Sequence, residues 1–168
     1  MKTRFDQPEF VPAGWPVSEP DLFMSYVGAI LVVRIGAAFP PSSFDRYLTE
    51  WARSVDARPS DASVFAMYDL PSWPGMTAVQ RQEWAALLKS RHQALQRTTR
   101  GMLLATPSPI TRGAARAIFW LAPPPYAYAI VDTPRTAFGY IAERGGPPAD
   151  GALKVYDEMV RKHWRAAA

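Results

Sequence analysis

Apolar residues recur along this chain with two periods, and the switches between them mark out its elements. Leu22-Phe23-Met24-Ser25-Tyr26-Val27 and Ile30-Leu31-Val32-Val33-Arg34-Ile35 predict two strands. Gly28-Ala29 between them predicts a two-residue hairpin turn with glycine first. The second run is apolar on both faces, as in a strand covered on both sides of its sheet. Pro40-Pro41-Ser42-Ser43 opens a helix that Ser42 or Ser43 is placed to cap, with Phe44, Tyr47, Leu48, Trp51 and Val55 on one stripe. Arg58-Pro59-Ser60-Asp61 breaks it, and residues 63–68 return to strand character.

The stretch from Asp69 to Gly75 reads as a loop. Thr77-x-x-Gln80 is a capping box that starts a long helix running to about Thr98, with Trp84, Leu87, Leu88, Arg91 and Leu95 on one face. Residues 101–105 predict a short buried strand. Thr106-Pro107-Ser108-Pro109 then leads into a helix whose register aligns Ile110, Ala114, Ala117, Ile118 and Leu121. After Pro123-Pro124-Pro125, residues 126–131 predict a strand. Thr133-Pro134 is a cap followed by proline at the first helical position, and Gly145-Gly146 stops that helix. Asp150 is placed to cap a last helix, with Leu153, Tyr156, Met159, Val160, His163 and Trp164 along one side.

Three strands in turn precede helices of crossover length, which requires right-handed βαβ units and parallel pairing. The expected fold is α/β: an N-terminal β-hairpin followed by βα units, forming a mainly parallel open sheet with helices packed on it. Pro8, Pro12, Pro16 and Pro20 exclude a helix from residues 1–20 and favour an extended arm, which Phe10, Val11 and Trp15 are placed to pin to the body. The division expected is an arm over 1–20, an α/β domain over 21–145 and a helical extension over 146–168.

A chain of 168 residues, 48% hydrophobic and 20% charged, suits one globular domain. It has no cysteine, so it has neither a disulfide framework nor a thiolate metal site, and it fits a reducing compartment. No apolar run approaches the roughly 18 residues that span a bilayer, and the first residues lack the apolar core of a signal peptide. The expectation is a cytoplasmic protein without a membrane span. Charge is placed unevenly: residues 1–70 carry a net −3, residues 71–116 a net +6 and residues 117–168 a net +1. The +6 segment suits an acidic partner, a phosphate or a nucleic acid. Arginine also outnumbers lysine fifteen to four, the usage of a GC-rich genome, which makes ordinary solvated helix faces the plainer reading.

Motifs that carry chemistry are missing from the sequence. His92 and His163 both fall mid-helix and belong to no ligand spacing, so neither a metal nor a cofactor is expected. There is no G-x-S-x-G elbow and no glycine-rich phosphate loop. One candidate anion site is the turn before the fourth helix, where Thr111, Arg112 and Arg116 stand at free N–H groups; the plainer reading is capping by Ser108 or Thr111. Trp51, Trp84, Trp120 and Trp164 fall on or beside helical stripes and are assigned mostly to the core or its margins. Trp73 stands apart, in a proline-rich loop.

Several segments together resemble the STAS fold of anti-sigma factor antagonists, closest to its divergent SpoIIAA-like branch. These are the hairpin from Tyr26 to Gly36, the strand ending at Tyr68-Asp69, Arg100 to Ala105, and Thr133 to Ile141. The resemblance covers roughly residues 21–145. It implies a non-enzymatic, regulatory or scaffolding protein-interaction domain of bacterial type. It also implies a partner surface on the loop after the third strand, where Asp69 matches and Ser72 or Thr77 falls near the family's phosphorylated position. Pro71, Trp73 and Pro74 depart from that pattern. Asp69, Ser72, Trp73 and Thr77 are therefore the candidate partner-binding residues. A protein partner is expected, with homo-oligomerisation left open. Two other readings remain: a carrier of a small apolar ligand or lipid, and nucleic-acid binding through residues 81–116. The second is disfavoured because Arg81, Lys89, Arg91 and Arg97 do not share a helical face.

Overall fold

The computed structural model describes residues 4–167, and of Leu121 its backbone alone. Its strands are β1 (Val17–Glu19), β2 (Leu22–Val27), β3 (Ile30–Ile35), β4 (Val64–Asp69), β5 (Thr99–Ala105) and β6 (Tyr128–Val131). Its helices are α1 (Pro41–Asp56), α2 (Ala78–Ser90), α3 (His92–Thr98), α4 (Pro109–Leu121), α5 (Pro134–Glu143) and α6 (Ala149–His163). The six strands form one sheet in sequence order; β1, β2 and β3 pair antiparallel and β3 to β6 pair parallel. This is the expected α/β architecture.

Local chemistry sets the register. Gly28, at φ +54°, turns β2 into β3 so that Val27 pairs with Ile30, and every residue of β2 is buried. Side chains then alternate between two cores. Leu22, Met24, Tyr26, Leu31, Val33, Tyr68 and Leu104 face one side of the sheet, and Phe23, Val27, Ile30, Val32, Met67 and Leu103 face the other.

The three parallel steps all move the same way across the sheet. Right-handed crossovers therefore leave α1, α2–α3 and α4 on one face. The opposite face is covered after the last strand, by α5 and by α6, which reaches back to β2, with Phe5 of the arm packed beside them. Ala152 and Tyr156 of α6 are core residues, so this last helix completes the second core.

Five details differ from the sequence reading. Val17–Glu19, within the extended arm, adds an edge strand by pairing with β2. The arm is pinned as expected, by the stacking of Trp15 on Tyr26 and by the bond from its Nε1 to buried Glu50 (2.7 Å). Neither Ser42 nor Ser43 caps α1: Pro40 takes that position, and the Ser43 hydroxyl donates instead to the Pro20 carbonyl. α6 likewise begins one residue before Asp150, with Pro148 at its cap position.

The long helix expected over 77–98 breaks at Arg91 into α2 and α3. Arg91 interrupts the apolar stripe, and its guanidinium turns away to hold Asp56 through two bonds of 2.9 Å. The break lets α3 bury Leu95, whereas α2 buries no residue fully. α4, finally, is rotated. Ala115 and Phe119 turn inward, while Ile110, Ala114, Ala117 and Ile118 face solvent; of this stripe Leu121 alone lies outside the described side chains. At the sheet's edge the four-residue β6 leaves little to cover, and a narrow buried stripe led by the Phe119 ring suffices.

Candidate functional site

In open α/β sheets ligands meet the carboxyl ends of the parallel strands. Here those ends hold a buried polar network. Arg34 of β3 and Asp69 of β4 are register partners, and their side chains meet at 2.5 Å (Nη1 to Oδ2) on the face covered by α5 and α6. The Tyr156 hydroxyl of α6 donates to the same oxygen at 2.6 Å. Burial pushes the Tyr156 phenol well above its ordinary value, and the Asp69 charge adds to this. Burial alone would lower the Arg34 guanidinium, but Asp69 and Tyr156 hold it above its usual range.

Trp164 closes this network from above, its ring centroid 4.9 Å from the Arg34 guanidinium. The strap from His163 to Ala167 is held by backbone. Ser18 Oγ donates to the His163 carbonyl, the Asp21 N–H donates to the Arg165 carbonyl at 2.8 Å, and the Ala167 N–H donates to Asp21 Oδ1 at 2.9 Å. Asp21 also accepts from the Ala38 and Phe39 N–H groups. Gly36 lies so close that a Cβ there would stand 2.6 Å from the Asp21 carboxyl. Between strap and strand ends lies a crevice of about 290 Å³, lined among others by Arg34, Pro71, Ser72 and Trp164.

The sequence-predicted residues distribute around this crevice unequally. Asp69 is buried and engaged by Arg34 and Tyr156. Ser72 is exposed at the crevice wall. Trp73 is half-buried, packs against the helix-rich core and keeps its indole N–H buried without a hydrogen-bond partner. Thr77 is exposed and caps α2, accepting from the Gln80 N–H at 3.2 Å, with the Gln80 side chain accepting from the Thr77 N–H at 3.0 Å.

At the candidate anion turn, the Thr111 N–H is taken by the Ser108 cap (3.2 Å). Arg112 donates to the Thr106 and Pro107 carbonyls and so braces the loop before α4. Arg116 is exposed on α4. Arg112 and Arg116 stand one turn apart on α4, with Arg112 turned back onto the loop. The basic segment is divided: Arg81 and Lys89 lie on α2, Arg91 is paired with Asp56, and Arg97 lies on α3.

Sequence reasoning missed the surface made by α4 and β6. Ile110 is 85% exposed, Trp120 81%, Ile118 43% and Tyr128 39%. Phe119, on the inward side of α4, packs on Tyr128 of β6 (ring centroids 4.6 Å apart) and holds the helix beside the edge strand. Trp120, placed at the core or its margins by its position, thus stands in solvent. The available signal was the second apolar stripe of α4, and beside it the absence of any charged residue from Ala117 to Val131.

Among the described residues no group of three or more His, Asp or Glu side chains has metal-binding geometry, and no helix is long and apolar enough to cross a membrane. A recess of about 530 Å³ beside α5 and α6 is lined by six charged side chains and Leu153. No family model, no curated protein and no solved structure matches the chain.

Proposed function

We propose that this chain is a protein-interaction domain of the regulatory or scaffolding kind, of the SpoIIAA-like type, that meets its partner through the α4–β6 face. The observation that carries this reading is the solvent-facing stripe Ile110, Ala114, Ala117 and Ile118 of α4, with Trp120 exposed beside it and Tyr128 exposed on neighbouring β6. Monomeric proteins rarely leave contiguous apolar surface of that kind uncovered, and large patches mark interaction surfaces. Trp and Tyr are also the residues that dominate binding energy in protein interfaces. The resemblance to STAS domains supports the reading by analogy alone. At the strand ends the charged groups are occupied by one another, so the network reads as an internal brace. The larger recess is lined by charge and the crevice at the strand ends holds Asp21 and Arg34 among small and apolar residues, so neither is the predominantly hydrophobic cavity an apolar cargo needs.

The test compares proteins captured from a native cell extract by the wild-type chain and by the Ile110→Ser/Trp120→Ser variant. Proteins retained by the wild type and lost by the folded variant are the expected result. Identical capture by both would remove α4 from the interface. Turnover of a small molecule with no protein retained would refute the reading as a whole.

A further inference from the structure

We propose that the occupant of the α4–β6 face is a second copy of this chain, docked about a two-fold axis with the outer edges of the two β6 strands paired antiparallel. The inference rests on the reading of this face as a protein-docking surface and adds the identity of the partner.

The backbone of β6 is the first argument. Along its inner edge the Ala127 and Val131 carbonyls accept from the Met102 and Thr106 N–H groups of the β5 side. Strand alternation then turns the peptide groups of Tyr128 and Ile130 outward, where neither meets a backbone partner among the described residues. An open edge is a template for another strand, and native proteins blunt such edges with charge, proline or cover. The opposite edge of this sheet carries those devices. β1 has three residues, lies between Pro16 and Pro20, carries Glu19, and is met by the strap through Ser18. β6 is also short and Asp132 follows it, but Tyr128-Ala129-Ile130-Val131 itself has neither a proline nor a charge, and its outer edge pairs with no strand among the described residues.

Symmetry selects the second copy. With Ala129 opposite its own counterpart, Tyr128 of each chain faces Ile130 of the other, and each such pair exchanges both of its N–H to carbonyl bonds. No like charges are brought together on the strand, because the uncharged run extends from Ala117 through Val131. Beside this edge Trp120, on the flank of α4, and Tyr128, on the strand, together expose on the order of 300 Å² of apolar surface, the centre of an interface whose standard size is roughly 800 Å² for each partner. An acidic peptide or an anionic lipid surface would instead draw on the cations Arg112 and Arg116 that precede the neutral run.

Salt separates these occupants. The chain carries a net +4, so two copies repel at long range and their association holds or strengthens as salt rises. Docking on an anionic surface weakens. The experiment is sedimentation equilibrium of the full chain over a wide concentration range at low and high salt. It is repeated for Trp120→Lys and Tyr128→Lys, exposed positions whose folding is checked by circular dichroism. A parallel arm measures co-sedimentation with phosphatidylcholine vesicles with and without phosphatidylglycerol. A dimer that persists in high salt and weakens by tenfold or more in both folded variants is the expected result.

A monomer under all conditions overturns the inference, and so does a dimer insensitive to both substitutions. Salt-sensitive binding of the monomer to phosphatidylglycerol vesicles overturns it in favour of a lipid surface. If the chain is monomeric but still captures a protein in an α4-dependent way, the inference fails and the functional reading stands. If that capture is also indifferent to α4, both fail.

Discussion

Arg34 and Asp69 stand opposite each other on neighbouring parallel strands, with Nη1 of the one 2.5 Å from Oδ2 of the other. Their side chains are 24% and 4% exposed, so this pair is largely withdrawn from water, and Tyr156 supplies a further donor. A pair in such a setting contributes modestly when intact, and it is costly to break because the survivor is left uncompensated. Asp69→Leu should therefore destabilise the fold by about 3 kcal/mol, and Arg34→Met/Asp69→Leu should recover most of that loss. Urea unfolding of both variants measures it. If the double variant loses as much as the single one, the orphaned charge is not the cause.

The anchoring of the strap by Asp21 predicts a dependence on acid. Burial raises the Asp21 carboxyl, but the N–H donors of Ala167, Ala38 and Phe39 outweigh it and hold the group below its ordinary value of 3.8. A depressed value in the folded state contributes stability that is present above 3.8 and is lost as pH falls through the folded value. The Ala38, Phe39 and Ala167 amides should lose protection against hydrogen exchange below about pH 3.8. Asp21→Ala should expose them at neutral pH, and so should Gly36→Ala, which drives a methyl into the carboxyl. Protection that is unchanged in both variants at neutral pH would show that Asp21 does not hold the strap.

Much of this fold was legible because local signals agreed with one another. The Gly28 turn, the Thr77 capping box and the Thr133-Pro134 helix start each satisfy a backbone need on the spot, and all three hold. What failed needed information from outside the segment. α4 offers two apolar stripes, and only its place over the short edge strand decides that Phe119 goes inward. The helix breaks at Arg91, whose guanidinium reaches Asp56 at the far end of α1, a partner no local pattern announces. Arg34 looks like the end of an apolar run until β4 brings Asp69 beside it. Of the proposed loop residues, only the capping role of Thr77 has a local signature; the half-burial of Trp73 depends on the core beneath it.

For Trp73 the structure yields a direct expectation. Its ring packs on the core formed by α1 and the sheet, although the loop around it, Pro71 to Met76, is otherwise irregular and partly exposed. Truncation of a half-buried indole should cost about 2 to 3 kcal/mol, less than the roughly 3 to 5 kcal/mol of a fully buried aromatic. Ser72→Ala, at an exposed neighbour, should fall within about 0.5 kcal/mol of wild type. Thermal melts of the two variants measure the contrast, and capture of partners from extract should be unchanged in both. A Trp73→Ala variant with wild-type stability and lost capture would move the partner surface to this loop.

The tyrosines predict how the fold ends in alkali. Tyr47 of α1 and Tyr68 of β4 place their hydroxyls 3.1 Å apart in the helix-rich core. Burial pushes Tyr68 up to about 12, the bond to Tyr47 opposing part of that rise. Burial also lifts Tyr47 well above 10, with Tyr68 adding to it, and lifts Tyr126 and Tyr156 in the same direction. A phenol whose folded value lies above its unfolded value contributes stability that is fully present below pH 10 and is lost as pH rises through the folded value. For Tyr68 the step from 10.0 to about 12 corresponds to on the order of 3 kcal/mol. Several such groups together should make unfolding cooperative between about pH 10 and 12. Tyrosinate absorbance should then rise in a fast fraction before unfolding and a second fraction that coincides with the loss of ellipticity. In Tyr47→Phe, which keeps the ring and removes the shared hydrogen bond, neutral stability should fall by about 1 kcal/mol. Smooth ionisation of all seven tyrosines near pH 10, with the ellipticity intact, would show that these hydroxyls are not sealed from water.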